Sequence, residues 1–275
     1  MERMGGWARV ATAAVGIPLM LGALYWQGGQ LWGILVCLVA MLAAFELYRA
    51  YKPVVSQRPL LAAGLTAGAF YSIMGFVLGW SEDRSLTIGQ SPTAGLVILA
   101  LLIWSARSGW LPTKDNPAAD AFGTLIAAGM GGLYLSLFEY LLQLRESGAN
   151  AAVAVLATIW AGDTAAYYVG RAIGKRPLAP SVSPGKTIEG ALANFVACSV
   201  VGLIGTHLAG YTLLQGLYIG AGAGILGQAG DLFKSSLKRS LGLKDFGALL
   251  PGHGGAIDRF DSLLFVGPWA CLALG

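Results

Sequence analysis

Apolar residues run in stretches about as long as a helix needs to cross a bilayer, and the stretches recur along the whole chain. A hydrocarbon core about 30 Å thick takes roughly 20 apolar helical residues. The stretches cover residues 7–26, 31–48, 60–80, 93–106, 121–144, 151–169, 188–208, 211–229 and 257–274, of which the fourth and the last are short for a crossing. Charged residues make up only 12% of the chain and hydrophobic ones 56%. Soluble domains carry about 25% charged residues. The expectation is an all-α polytopic integral membrane protein with about nine transmembrane helices and the lipid bilayer as its solvent.

Glycine is abundant, at 40 residues, mostly inside the apolar stretches. In water that would weaken helices. In lipid, small residues let helices approach closely, and Gly131-Gly132 and the glycines 220, 222 and 224 suit that role. Cys37, Cys198 and Cys271 sit in apolar stretches with no disulfide or zinc spacing, which makes them packing residues. The first stretch lacks an A-x-A-like cleavage site and a second follows closely, so it reads as a retained span.

With the N-terminus inside, all of the 18 Lys and Arg residues except Arg84 and Arg145 fall on inner segments. Positive residues favour the cytoplasmic side, so the pattern predicts a cytoplasmic N-terminus in the cytoplasmic (inner) membrane. The polar segments 170–187 and 230–261 then share the cytoplasmic side, and a polar cavity facing it is expected in the C-terminal half. Residues 1–148 read as a transmembrane scaffold and 149–275 as the catalytic region. In the scaffold, Glu46 is expected to pair with Arg49 one turn on. Glu139 lies near an outer helix end, and both acids read as structural. His207, also near an outer end, has no catalytic partner in view.

The second half carries the chemistry. Asp163 sits in Gly162-Asp163-Thr164-Ala165-Ala166-Tyr167, inside an apolar helix. A carboxylate there costs at least about 2.5–3.5 kcal/mol and needs a cation, a basic side chain or a water-filled cavity. Lys175 opens a proline- and glycine-rich stretch that reads as a shaped loop and ends at Ser183-Pro184-Gly185-Lys186-Thr187, just before a new helix. A hydroxyl, a lysine and a helix N-terminus make a phosphate cradle. A P-loop is excluded, because Pro180 stands where its first glycine belongs and no hydrophobic strand precedes it.

Segment 230–261 alternates Asp231, Asp245, Asp258 and Asp261 with Lys234, Lys238, Arg239, Lys244 and Arg259. On a helix, Asp258 and Asp261 share one face. Such neighbours repel unless a cation lies between or beside them. A few oxygen ligands suit Mg²⁺ that substrate phosphates also hold, and the basic residues suit those phosphates. Gly252, Gly254 and Gly255 around His253 allow a tight turn beside a ligand.

The segment resembles the signature of the phosphatidate cytidylyltransferases, or CDP-diacylglycerol synthases. The match runs through Ser235, Lys238-Arg239, Lys244-Asp245, His253-Gly254-Gly255 and Asp258-Arg259-Phe260-Asp261, with Gly162-Asp163, Ser183-Pro184 through Glu189-Gly190, and Gly230-Asp231 upstream. Ala256, Gly185 and Lys234 depart from it, where many members have a larger aliphatic residue, a lysine and a glutamate. The resemblance implies transfer of a cytidylyl group from CTP to phosphatidate by in-line attack on the α-phosphorus, with Mg²⁺ and an open alternative of a second cation. It implies Asp231, Asp258 and Asp261 as metal ligands, with Lys238, Arg239 and His253 also catalytic. Substrate binding would fall to Asp163, Lys175, Ser183, Lys186, Thr187, Ser235, Lys244, Asp245, Gly254, Gly255 and Arg259. It favours a homodimer and no nucleic-acid partner. The alternatives are another membrane lipid-nucleotide transferase and an anionic lipid transporter. A CDP-alcohol phosphotransferase would need a D-x-x-D-G-x-x-A-R run that the chain lacks, and transporters tend to repeat their polar motifs in both halves.

Overall fold

The computed structural model describes residues 2–79, 92–109, 112–113, 115–116, 121–247 and 255–275. These form helices α1 (Glu2–Tyr25), α2 (Gln30–Tyr51), α3 (Arg58–Gly79), α4 (Pro92–Ser108), α5 (Ala121–Ser136), α6 (Glu139–Glu146), α7 (Ala149–Ile173), α8 (Ile188–Leu208), α9 (Leu213–Ser240) and α10 (Ile257–Leu274). A short 3-10 helix, Trp26–Gly29, joins α1 to α2. Strands β1 (Pro177–Ala179) and β2 (Ser183–Thr187) form an antiparallel hairpin between α7 and α8. The all-α expectation holds, with this hairpin in place of the expected loop. Among the described residues, four helical stretches are long and apolar enough to cross a membrane: Gln30–Tyr51, Ala121–Glu146, Ala149–Ile173 and Ile188–Leu208.

Two apolar stretches differ from their sequence reading. Residues 121–144 break into α5 and α6, where Leu137 and Phe138 donate to carbonyls three residues back and tighten the last turn. The polar segment after residue 229 begins as a continuation of α9, which carries Asp231, Lys234 and Lys238 on successive turns before ending at Ser240. Gly242 stops it with φ +67, while Gly242 N donates to Arg239 O at 3.1 Å and Leu243 N to Lys238 O at 2.8 Å. That left-handed stop turns the chain back over the last turn of α9.

The most extensive packing is between α7 and α8 and between α8 and α9, followed by α3 with α5 and α9 with α10. The glycines make it possible. A Cβ on Gly132 would collide with the Gly64 carbonyl oxygen, and one on Gly220 with the Cys198 carbonyl. Gly222 lies against Trp269 and Gly224 against Phe195. The close approach expected of these small residues is therefore made within the chain. The three cysteines are buried and free. Behind the polar end of α9, the Phe233 ring packs between Tyr134 of α5 and Phe265 of α10, each 5.5 Å away. This aromatic wall ties the two halves together and holds α9 against α10.

Candidate active site

Helices α7, α8, α9 and α10, the end of the hairpin and part of α1 enclose a cavity of about 1100 Å³. Its walls change character along their length. Ile17, Met20, Leu156, Ile159 and Trp160 form an apolar side; Asp163, Lys186, Asp231, Lys234, Asp258, Arg259 and Asp261 form a charged side.

The hairpin brings in Lys186. Ile188 N donates to Arg176 O at 2.8 Å, and Glu189 accepts from the backbone N–H groups of Lys175 and Arg176 and from Arg176 Nε at 3.1–3.3 Å. Thr187 caps α8 by accepting from Gly190 N at 3.2 Å, as a threonine at a helix start does. Gly185, Lys186 and Thr187 therefore end a strand that runs straight into a helix, and all three line the cavity.

Lys186 pairs with Asp231. The Lys234 ammonium lies 2.8 Å from Asp231 Oδ1 and 2.6 Å from Asp261 Oδ2. Lys234 is thus shared between the two carboxylates, and the Asp261 oxygen it meets is buried. Lys238 donates to Asp258 Oδ1 at 2.9 Å, and Asp258 Oδ2 accepts from Gly255 N at 3.1 Å and Phe246 N at 3.3 Å. Asp231 and Lys234 lie past the apolar part of α9. Burial works against the charge on Asp231, but Lys234 and Lys186 outweigh it and hold the carboxyl well below the usual carboxylate range. Burial likewise opposes the Lys234 charge, yet Asp261 and Asp231 keep the ammonium protonated well above the usual lysine range.

Among the described residues, no three acidic, histidine or cysteine side chains converge as a ready-made metal cage. Asp231 and Asp261 meet instead at the Lys234 ammonium. The donor set still fits Mg²⁺, which binds through one or two carboxylates plus substrate phosphates. Here two carboxylates already converge on one positive charge.

Part of the predicted constellation is brought together. Asp163, Lys186, Thr187, Asp231, Asp258, Arg259 and Asp261 share the cavity. Lys238 and Gly255 reach it through Asp258. Arg239 lies beside the hairpin, 3.5 Å from Val182 O, and Asp245 is 3.9 Å from Lys238. Lys175, Ser183, Ser235 and Lys244 stand outside the cavity walls. His253 and Gly254 lie outside the described residues. Asn194 and Gln228, which the sequence reading did not assign, also line the cavity, as does Lys234, which it grouped with the phosphate-binding bases but gave no role of its own. The signal for Lys234 was its place one turn from Asp231; for the other two it was a polar amide inside an apolar helix. Glu46 departs from its expected pairing: Arg49 lies over the Phe45 ring at 5.7 Å, and the Glu46 carboxylate turns to the start of α10.

The profile of the cytidylyltransferase family matches residues 7–275. The chain belongs to the cytidylyltransferase family. It is similar to the phosphatidate cytidylyltransferase of Bacillus subtilis (strain 168), 32% identical over 246 residues and 86% of each chain. It is 34% identical to the phosphatidate cytidylyltransferase of Brucella suis biovar 1 over 257 residues, 93% of this chain and 88% of that one. With the one from Mycobacterium tuberculosis (strain H37Rv) the identity is 29% over 279 residues, 96% of this chain and 81% of the other. These matches extend the cytidylyltransferase resemblance from the C-terminal motifs to most of the chain.

Proposed function

We propose that this protein is a phosphatidate cytidylyltransferase, which transfers the cytidylyl group of CTP to phosphatidate and leaves CDP-diacylglycerol in the membrane. The observation that carries the reading is the cavity, where an apolar wall meets a charged one. A lipid phosphate needs both: hydrocarbon for its chains, and cations for its headgroup and for a nucleotide triphosphate. Membership of the family and the named relatives support the same reading.

A phosphate oxygen of phosphatidate forms a bond to the α-phosphorus of CTP, and the bond from that phosphorus to the bridging oxygen breaks, releasing pyrophosphate. The attacking oxygen is already anionic, so no strong base is required. The chain's task is alignment and charge stabilisation. Lys186 and Arg259 face the cavity and are assigned to substrate phosphates. Lys238 and Lys234 hold Asp258 and Asp261 in place. Asp231 and Asp261, with Asp258 adjoining, would hold Mg²⁺. Bound there, Mg²⁺ would supply positive charge to the phosphate oxygens as charge shifts toward the leaving group.

The charge asymmetry of the segments supports a site open to the cytoplasm in the inner membrane, with the N-terminus on that side. An exposed apolar row on α8, Leu192, Val196, Val200 and Ile204, is assigned to lipid. A homodimer would need a surface other than the glycine faces, which are engaged within the chain. The test is purified protein with phosphatidate, radiolabelled CTP and Mg²⁺. Labelled lipid and pyrophosphate in equal amounts are expected, and no labelled lipid under any detergent or metal condition overturns the reading.

A further inference from the structure

Helix α10 carries Asp258 in its first turn and Asp261 one turn on, yet its cap residue makes no side-chain hydrogen bond to its N-terminus. Its cap residue is Ala256, which has no side-chain acceptor. Unmet N–H groups at a buried helix start need a partner. Asp258 takes Gly255 N. The next two are taken by Glu46, 210 residues away on α2: Ala256 N donates to Oε1 at 2.9 Å and Ile257 N to Oε2 at 3.1 Å. Glu46 is 6% exposed. A Cβ on Gly255 would stand 2.6 Å from both carboxylate oxygens, and one on Gly247 would stand 2.7 Å from Oε1. The two glycines thus leave the space that the carboxylate fills.

We infer that Glu46 is a positioning residue for the reaction: it anchors the start of α10 and so sets where Asp258 and Asp261 point. Both carboxylate oxygens are used, which fixes the helix start in two directions. The negative charge also meets the positive end of the helix dipole. The rotation and height of α10 then follow from a side chain on α2, far away in sequence. Asp258 meets Lys238, and Asp261 meets Lys234, only in that register. A shift of about 1 Å at such a site is enough to cost about 100-fold in rate. The inference rests on the proposed cytidylyl transfer, because it assigns Glu46 to that site.

Two variants reach the contact from opposite sides. Glu46→Gln keeps the shape but puts an amide NH₂ against one of the two backbone donors. Gly247→Ala leaves Glu46 in place and crowds its carboxylate. Each should lower kcat by about 10- to 100-fold, with KM for CTP changed less than about threefold, since Lys186 sits on a separate element. The double variant should be no worse than Glu46→Gln alone, because both act through one contact. Glu46→Asp, one methylene shorter, should not rescue. Hydrogen exchange read on the peptide that covers residues 255–262 should speed up in Glu46→Gln. Full kcat in Glu46→Gln, or additive losses in the double variant, overturns the inference. So does a lowered melting temperature with turnover per folded molecule unchanged. An inactive wild-type protein would instead refute the proposed function, while the exchange measurement still decides whether Glu46 holds α10.

Discussion

Replacing Asp258 by Asn removes one negative charge from the start of α10 and hardly changes its shape. In the folded protein this buried carboxylate accepts from the Lys238 ammonium at 2.9 Å, from Gly255 N at 3.1 Å and from Phe246 N at 3.3 Å. Asparagine keeps one carbonyl oxygen and must turn its NH₂ toward the remaining donors. The loss of a charge-assisted hydrogen bond costs about 1.5–3 kcal/mol. The loss of a negative charge at a helix N-terminus adds about 0.3–1 kcal/mol. A stability loss of about 2–4 kcal/mol follows from these two. The variant should fold, with a lower melting temperature. Activity should suffer more. Charge stabilisation by a metal site is worth several kcal/mol, and each 1.36 kcal/mol is tenfold in rate, so turnover should fall at least about 100-fold. Initial rates with radiolabelled CTP, normalised to folded protein by thermal unfolding in detergent, separate the two effects. Turnover within tenfold of wild type would refute the assignment of Asp258 to the reacting site.

Asp163→Asn should lower kcat more than it lowers the melting temperature, since Asp163 lines the cavity with Lys186 and Asp231; equal activity in the variant would remove Asp163 from the site. Lys234→Met leaves Asp231 and Asp261 without their shared cation. It should destabilise the protein by about 3–5 kcal/mol and raise its dependence on added Mg²⁺, and a melting temperature unchanged by either the variant or the ion would contradict that. In a cysteine-free background, Ala179→Cys and Lys244→Cys should be labelled from the cytoplasmic face and His207→Cys from the other; labelling of 179 and 244 from opposite faces would break the single-site geometry.

Hydropathy and charge pattern were enough to read the all-α fold, and the stretch boundaries fell close to most of the helices. The reason is physical: a helix in lipid must satisfy its own backbone and present apolar side chains, so the solvent writes its requirement into every span. Asp163, Lys186, Asp231, Asp258, Arg259 and Asp261, which line the cavity, stood out in the sequence too, because charge in an apolar chain has few structural uses. What failed was local. The stretch that holds Pro177, Pro180 and Pro184 reads as a loop, yet it forms a hairpin because Glu189 and Thr187 close its base against α8. The polar stretch after Ala229 continues α9 because its side chains find partners in the cavity.

Composition and spacing by themselves determined that the chain is all-helical and membrane-like, and that its densest clusters of charge lie in the second half. Only the tertiary structure decided who pairs with whom. Lys234 joins Asp231 to Asp261, Lys238 takes Asp258, and Glu46 closes the helix that bears both acids. Hydropathy is a property of each residue and survives in one dimension. An ion pair depends on distances across packed helices, and those are set by glycines such as Gly132 and Gly220 that let backbones touch.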